Sequence, residues 1–153
     1  MEEFDGEKAA RVWERVLKRE DLAPLEPRKT DLTPLVLSAQ ELAGLYHAAA
    51  RQLGGRDGDL VRGLLRQQKG MAACLKGICQ ISGGRVPKFP GFTPPREPAR
   101  RLLESCYHRE RRLLGELSRH VSDPEFGQVF RRLAEGAGRR CLTVLEILGR
   151  MKG

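Results

Sequence analysis

The sequence is poor in aromatic residues and lacks any long hydrophobic run. Of its 153 residues, 5% are aromatic and 40% are hydrophobic. No apolar stretch approaches the roughly 18 residues that a transmembrane helix needs. The N-terminus, MEEFDGEKAARVWERV, is acidic and then amphipathic, whereas a secretory signal begins basic and continues apolar. These features predict a cytoplasmic protein with one folded domain and no membrane segment.

The sequence also lacks the short motifs that hold zinc or a redox-active disulfide. Its cysteines, Cys74, Cys79, Cys106 and Cys141, form no CxxC pair and have no zinc spacing to the histidines. Two interpretations remain open for them. They are small buried hydrophobic residues or free thiols, or they serve a thiol-based redox function in which Arg140 lowers the pKa of the adjacent Cys141.

Positive charge is in excess, but it is dispersed along the chain. The sequence has 28 Lys and Arg against 20 Asp and Glu, a net charge of +8. Such a chain can attract nucleic acid, an anionic membrane or an acidic protein. No run of basic residues exceeds two, and aromatic residues do not interleave with them, so nucleic-acid binding is not favoured. A basic adaptor that binds an acidic protein partner in a salt-sensitive complex is an open alternative.

The spacing of hydrophobic residues predicts an all-α protein, because the alternation typical of strands is absent. An N-terminal helix is expected over residues 3–20. Three prolines between residues 24 and 34 predict an extended linker after it. Ser38 and Glu41 have the spacing of a capping box, which predicts that the next helix begins at Ser38.

Four amphipathic segments follow, each with an apolar stripe at helical spacing. The predicted helices cover approximately residues 38–53, 57–82, 97–120 and 124–151. Short first and last connections predict two antiparallel hairpins, and the Pro- and Gly-rich loop between them is long enough to cross along a bundle. We therefore predict an antiparallel four-helix bundle over residues 38–153, with residues 1–37 as an N-terminal helix and linker that pack on it.

Three polar residues interrupt the apolar stripes near the middle of the predicted bundle: Gln68, Glu110 and Arg140. Burying an unpaired charge is costly, so these side chains are expected either to be paired or to reach solvent. One hypothesis is a buried ion pair between Glu110 and Arg140, with Gln68 hydrogen-bonded to it. The other is that one or both charged side chains lean out to solvent at a seam between helices.

Several stretches of the sequence carry a family resemblance. They are VWERV before the bundle, LLRQQKGMAACLKGICQISGG in the second bundle helix, and ESCYHRERRLL and DPEFGQVFRRLAEGAGRRC in the last two. These stretches are similar to the ferritin-like, rubrerythrin-type superfamily, and specifically to its small bacterial members. The resemblance implies a ferritin-like bundle and a site for two iron or manganese ions. The family's ligands are a Glu two turns before a Tyr, then Glu-x-x-His, Glu and a second Glu-x-x-His on the following helices.

The sequence departs from this ligand pattern at five of the six positions that the resemblance implies. Those positions are Ala39, Gln68, Met71, Glu110, Ala137 and Arg140. Only Glu110 retains a ligand, and no Glu-x-x-His occurs anywhere in the chain. The resemblance therefore implies a non-enzymatic scaffold without a cofactor, with a structural or partner-binding role. In it, Arg140 replaces the lost cation and neutralises Glu110.

The alternative is a rubrerythrin-like di-iron or di-manganese oxidoreductase or metal-binding protein, which needs further ligands besides Glu110. Ferritin-like proteins often pair through bundle faces, so the resemblance also allows a homodimer.

Overall fold

The computed structural model describes residues 31–86, 88 and 90–151, and these residues form four α-helices and no strand. The helices are α1 (Thr33–Ala50), α2 (Gly55–Ile81), α3 (Ala99–Ser118) and α4 (Gly127–Arg150). The prediction of an all-α protein is thereby confirmed for this part of the chain. All four helices belong to one compact unit that begins at Leu32. The helix predicted over residues 3–20 lies outside the described residues.

The first helix begins five residues earlier than the sequence predicted. α1 starts at Thr33 with Pro34 in its first turn, and Ser38 lies inside the helix. Proline is well suited to this place because the first-turn N–H groups have no partner within the helix. The early start also buries Leu35 and Val36, which are 3% and 0% exposed. The helix start predicted at Ser38 is therefore wrong, and Pro34 belongs to the helix and not to a linker.

The end of α2 follows the Gly-Gly signal in the sequence. Gly83 has a φ of 80°, a conformation that only glycine adopts at little cost. The N–H of Gly83 donates to the carbonyl of Gln80 at 3.2 Å, and the N–H of Gly84 donates to that of Cys79 at 2.9 Å. This pair of bonds is a Schellman motif, which satisfies carbonyls that the helix leaves without partners.

The fourth helix begins later than predicted. Asp123 Oδ1 accepts hydrogen bonds from the N–H groups of Glu125 at 2.8 Å and Phe126 at 2.7 Å. These bonds hold residues 124–126 in a turn, and α4 starts only at Gly127. A side chain at Gly127 would meet the carbonyl oxygen of Val121, so the tight turn requires glycine there.

The helices pack as a helical bundle in which α1 contacts α2 and α3, and α4 contacts α3 and, less extensively, α2. Residues near the end of α1 face the start of α3, since Gln52 Oε1 accepts a hydrogen bond from the N–H of Ala99 at 2.7 Å. α1 and α3 are therefore antiparallel, and so are α1 and α2. It follows that α2 and α3 run in the same direction, and the loop between them travels along the length of the bundle.

This crossover loop, residues 82–98, is seated against α1 by Phe92. A Cβ atom added at Gly44 would lie 2.7 Å from Phe92 Cδ2, so the ring occupies the space that the missing side chain leaves. The Arg109 guanidinium of α3 lies over the same ring, 6.0 Å from its centre. Within the described residues, no helix is both long and apolar enough to cross a membrane.

Candidate functional site

Four polar side chains, one from each helix, meet inside the bundle: Tyr46, Gln68, Glu110 and Arg140. We call them the central polar cluster. Tyr46, Gln68 and Glu110 are 0% exposed and Arg140 is 4% exposed. Each lies on the apolar stripe of its helix, and helical periodicity therefore directs all four towards the shared core.

One carboxylate oxygen accepts all the strong hydrogen bonds of the central polar cluster. Glu110 Oε2 receives the Tyr46 hydroxyl at 2.7 Å, Gln68 Nε2 at 2.6 Å and Arg140 Nε at 2.8 Å. The contact with Arg140 is also an ion pair, with side-chain exposures of 5% and 0%. The structure thus brings Glu110, Arg140 and Gln68 together in the interior. Neither charged side chain leans out to solvent.

Two oxygen atoms of the cluster make no hydrogen bond within the described part of the chain. They are Glu110 Oε1 and Gln68 Oε1, and both are buried. The donors of the cluster are thus concentrated on a single atom, Glu110 Oε2. Through this one atom, Glu110 of α3 is hydrogen-bonded to α1, α2 and α4.

Two further residues shape the surroundings of Arg140. Its Nη2 lies 3.8 Å from the sulfur of Met71, a weak contact that adds a second residue of α2 to these surroundings. A Cβ atom at Gly136 would lie 3.3 Å from Arg140 Nη1, so glycine leaves room for the guanidinium. Gly136 lies one helical turn before the buried Arg140, so the sequence already places a glycine next to this side chain.

Burial and the neighbouring carboxylate keep the Tyr46 hydroxyl protonated. Desolvation is the larger cause and the charge of Glu110 the second, and together they raise the pKa of Tyr46 well above its ordinary value. A protonated hydroxyl can donate, which is the role that the 2.7 Å contact gives it. Tyr46 was not predicted as a site residue, because a tyrosine on an apolar stripe is equally typical of an ordinary core.

The cluster does not fit a dinuclear metal site. Ala39 and Ala137 are fully buried and offer no ligand atom. Glu110 Oε2 already has three donors, and a permanently charged guanidinium lies 2.8 Å from it. Met71 offers only a thioether, a soft ligand unsuited to the hard cations of such sites. Among the described residues, no group of three or more His, Cys, Asp or Glu could hold a metal ion.

The four cysteines are free, and three of them, Cys79, Cys106 and Cys141, are buried. Burial raises the pKa of Cys106, and the charge of Glu110 raises it further. Burial is also the largest influence on Cys141, whose pKa is raised although Arg140 and Arg111 act in the opposite direction. Arg140 thus acts on the pKa of Cys141 in the direction that the redox interpretation requires, but the net shift is upward, because desolvation outweighs the nearby positive charge.

Comparison with protein families, curated proteins and solved structures finds no match to this chain.

Proposed function

We propose that this protein is a ferritin-like scaffold in which the central polar cluster has replaced the dinuclear metal site. In this proposal it is not an enzyme and has a structural or partner-binding role. The observation that carries the proposal is the 2.8 Å contact between Arg140 Nε and Glu110 Oε2 in the interior. Arg140 thereby supplies a fixed positive charge beside Glu110, the one ligand that the resemblance retains.

The electrostatics of the cluster support this replacement. A buried carboxylate requires a compensating charge, which a metal ion supplies in a metalloprotein. Here Arg140 supplies it, and Tyr46 and Gln68 add two neutral donors to the same oxygen. Bonds from charged or polar donors to a carboxylate are stronger than those between neutral groups. The four helices can therefore be held together without a cation.

The order of the helices is a second support. In the ferritin-like proteins of the resemblance, two hairpins are joined by a long crossover connection. The present chain has a 17-residue connection between α2 and α3, from residue 82 to residue 98, and those two helices run in the same direction. This topology is compatible with the family but does not by itself identify it.

Metal content decides between the scaffold and an oxidoreductase. The protein would be incubated anaerobically with ferrous iron and manganese, desalted and measured by mass spectrometry. We expect no bound metal, because the cluster supplies a single carboxylate, with three donors already on its Oε2 and a guanidinium charge beside it. About two metal ions per chain, or oxidation of ferrous iron well above the rate in buffer, would instead establish the di-iron or di-manganese oxidoreductase.

A variant with the implied ligands restored provides the matched control. It carries Ala39→Glu, Gln68→Glu, Met71→His, Ala137→Glu and Arg140→His, which together rebuild the family pattern around Glu110. We expect about two metal ions per chain in this variant and none in the parent protein. Helicity measured by circular dichroism verifies that the variant folds. A folded variant that binds no metal would contradict the assignment of these positions as former ligands.

A further inference from the structure

The outward side of α4 exposes two leucines, Leu142 at 63% and Leu145 at 45%. They are two of the three large hydrophobic side chains that are exposed among the described residues. Gly138 lies on the same side of the helix, and a Cβ atom added there would meet nothing within 4 Å. A second helix can therefore lie close to α4 here. We call this surface the α4 face, and it comprises Gly138, Arg139, Leu142, Leu145 and Glu146.

The α4 face also carries one charge of each sign. Arg139 and Glu146 are exposed, and neither forms an ion pair within the described part of the chain. They are seven residues apart, so they lie on the same side of α4 with their Cα atoms separated by about 10.5 Å along the axis. Both charges are therefore available to another molecule.

Helical geometry divides the α4 face into two halves on either side of Leu142. At about 100° per residue, Arg139 and Glu146 lie about 60° and 40° to one side of it. Gly138 and Leu145 lie about 40° and 60° to the other side. One half of the face is thus charged, and the other half presents a leucine and the open space above a glycine.

A second copy of α4 that runs antiparallel complements both halves of the α4 face. A two-fold axis just after Leu142, midway between positions 139 and 146, sets position 139 of each copy opposite position 146 of the other. Arg139 then faces Glu146 of the second copy, and the same pair forms again with the roles exchanged. Leu145 lies on the side where the second copy has Gly138, which leaves room for it. Both charged positions are about 5 Å from the midpoint along the axis, so their side chains remain within reach at the usual crossing angles.

The predicted N-terminal helix of the same chain, residues 3–20, matches the α4 face less well. In that segment every pair of charged residues seven positions apart has the same sign, as Glu7 and Glu14 do. A helix with this pattern cannot meet Arg139 and Glu146 with opposite charges at their spacing. A second copy of α4 has the required charges by symmetry.

We propose that the α4 face is the surface through which two copies of this protein form an antiparallel, two-fold symmetric dimer. The net charge of +8 on each copy opposes association at long range, whereas the α4 face is itself neutral. A contact made by one helix from each copy is small, so the dimer is weak and forms at about 100 μM. The proposal does not rest on the replacement of the metal site.

The test is sedimentation velocity of the full-length protein between about 10 μM and about 1 mM. We expect a monomer at the lowest concentration and a dimer at the highest. Arg139→Glu and Glu146→Arg should each weaken the association at least about tenfold, because each sets like charges opposite each other twice. An equimolar mixture of the two variants should restore the dimer, since unlike charges then face each other in both pairs.

Arg132→Glu is the matched control. It makes the same charge change at another exposed residue of α4, about 16 Å from the midpoint along the axis. We expect this variant to dimerise as well as the parent protein. If net charge alone governed association, both arginine variants would strengthen it equally, because each lowers the positive charge of the protein.

Three results would overturn the proposal. They are a monomer over the whole concentration range, charge variants that dimerise like the parent, and a mixture that stays monomeric although the parent dimerises. For a monomeric protein, shifts of the amides of residues 3–20 in the NMR spectrum of Leu142→Asp would assign the α4 face to the chain's own N-terminal segment. Metal content is measured separately, so a metal-free monomer contradicts only the dimer.

Discussion

The contact between α1 and α3 is held by stronger polar interactions than the contact between α2 and α4. Across the first, the Tyr46 hydroxyl reaches the buried Glu110 at 2.7 Å. Across the second, the buried contact is the 3.8 Å approach of Arg140 to the Met71 sulfur. Neither pair of helices is directly connected in the chain, so how tightly each pair associates depends on tertiary contacts.

The crossover loop also strengthens the α1–α3 contact relative to the α2–α4 contact. Phe92 fits against Gly44 of α1 and beneath Arg109 of α3, so the loop covers the α1–α3 side. On the α2–α4 side, the described surface contact is an ion pair between Arg150 and Asp57 at 2.6 Å. The crossover loop therefore does more than connect α2 to α3. Through Phe92 it also adds packing to the α1–α3 interface.

The largest expected effect is that of removing the Arg140 guanidinium, which contacts Glu110 and Met71. Arg140→Ala leaves Glu110 fully buried without its counter-ion, and we expect a loss of roughly 3–5 kcal/mol in the free energy of unfolding. Denaturant unfolding measures it. The double variant Glu110→Leu/Arg140→Met removes both charges and should recover only part of the loss, because Tyr46 and Gln68 then lose the acceptor of their hydrogen bonds. A loss below about 1 kcal/mol for Arg140→Ala would mean that the pair behaves like one at the surface.

The next largest effects are expected from removing one contact at the α1–α3 interface and one at the α2–α4 interface. Tyr46→Phe removes a donor to a buried carboxylate and should cost about 1.5–3 kcal/mol. Met71→Leu conserves volume and loses only a weak sulfur contact, so it should cost less than about 1.5 kcal/mol. The same unfolding measurement serves for both variants. Equal losses would show that the two interfaces are equally strong.

Tyr46→Phe also serves as the control for alkaline pH. Because the pKa of Tyr46 is raised in the folded protein, the unfolded chain releases this proton first, near pH 10. Its contribution to stability is complete below that pH and falls as the pH rises through the folded pKa. We therefore expect the parent protein to lose more stability than Tyr46→Phe above about pH 10. Parallel curves would contradict this.

A pair of glycines tests the contribution of the crossover loop. Gly44→Ala places a Cβ atom 2.7 Å from Phe92 Cδ2 and must displace the ring. We expect a cost of roughly 1–3 kcal/mol, as for other overpacked sites. Gly138→Ala on α4 meets nothing within 4 Å, and should stabilise the helix by about 0.5–1 kcal/mol. If both substitutions stabilise the protein, the loop does not depend on Gly44.

The smallest effects should come from the peripheral ion pairs. Arg109→Ala breaks the contact with Glu41 on the α1–α3 side, and Arg150→Ala breaks the contact with Asp57 on the other. Each should cost less than about 1 kcal/mol, and less still at high salt, because these pairs are partly exposed. Thermal unfolding at two salt concentrations measures the difference. A loss comparable to that of Arg140→Ala would place the main stabilisation at the surface.

Helical periodicity was sufficient to identify three polar residues of the core and to offer their pairing as one hypothesis, but not to identify the contribution of Tyr46. The stripes place Gln68, Glu110 and Arg140 on inward faces, since 3.6 residues per turn fix the side of the helix. The donation by Tyr46 depends on the distance between α1 and α3, which is set by side chains and by the crossover loop together. No local pattern encodes that distance, so the sequence does not identify Glu110 as the acceptor of the Tyr46 hydroxyl.

The start of α1 shows a different limit of sequence reasoning. Ser38 with Glu41 and the first-turn proline at position 34 are both valid start signals, and they lie four residues apart. The burial of Leu35 and Val36 selects the earlier one. Choosing between two local signals thus requires knowledge of the tertiary core. The same reason accounts for Cys141, where burial reversed the pKa shift expected from its charged neighbours.

The convergence of three donors on Glu110 Oε2 has a consequence for local opening. Because the donors come from α1, α2 and α4, neither hairpin can separate from the other without leaving a charge or a donor unpaired in the interior. Partial unfolding of one hairpin therefore carries nearly the cost of unfolding the whole described domain. Slow amide exchange in the middle of all four helices should then report one common opening event, with the helix ends exchanging independently.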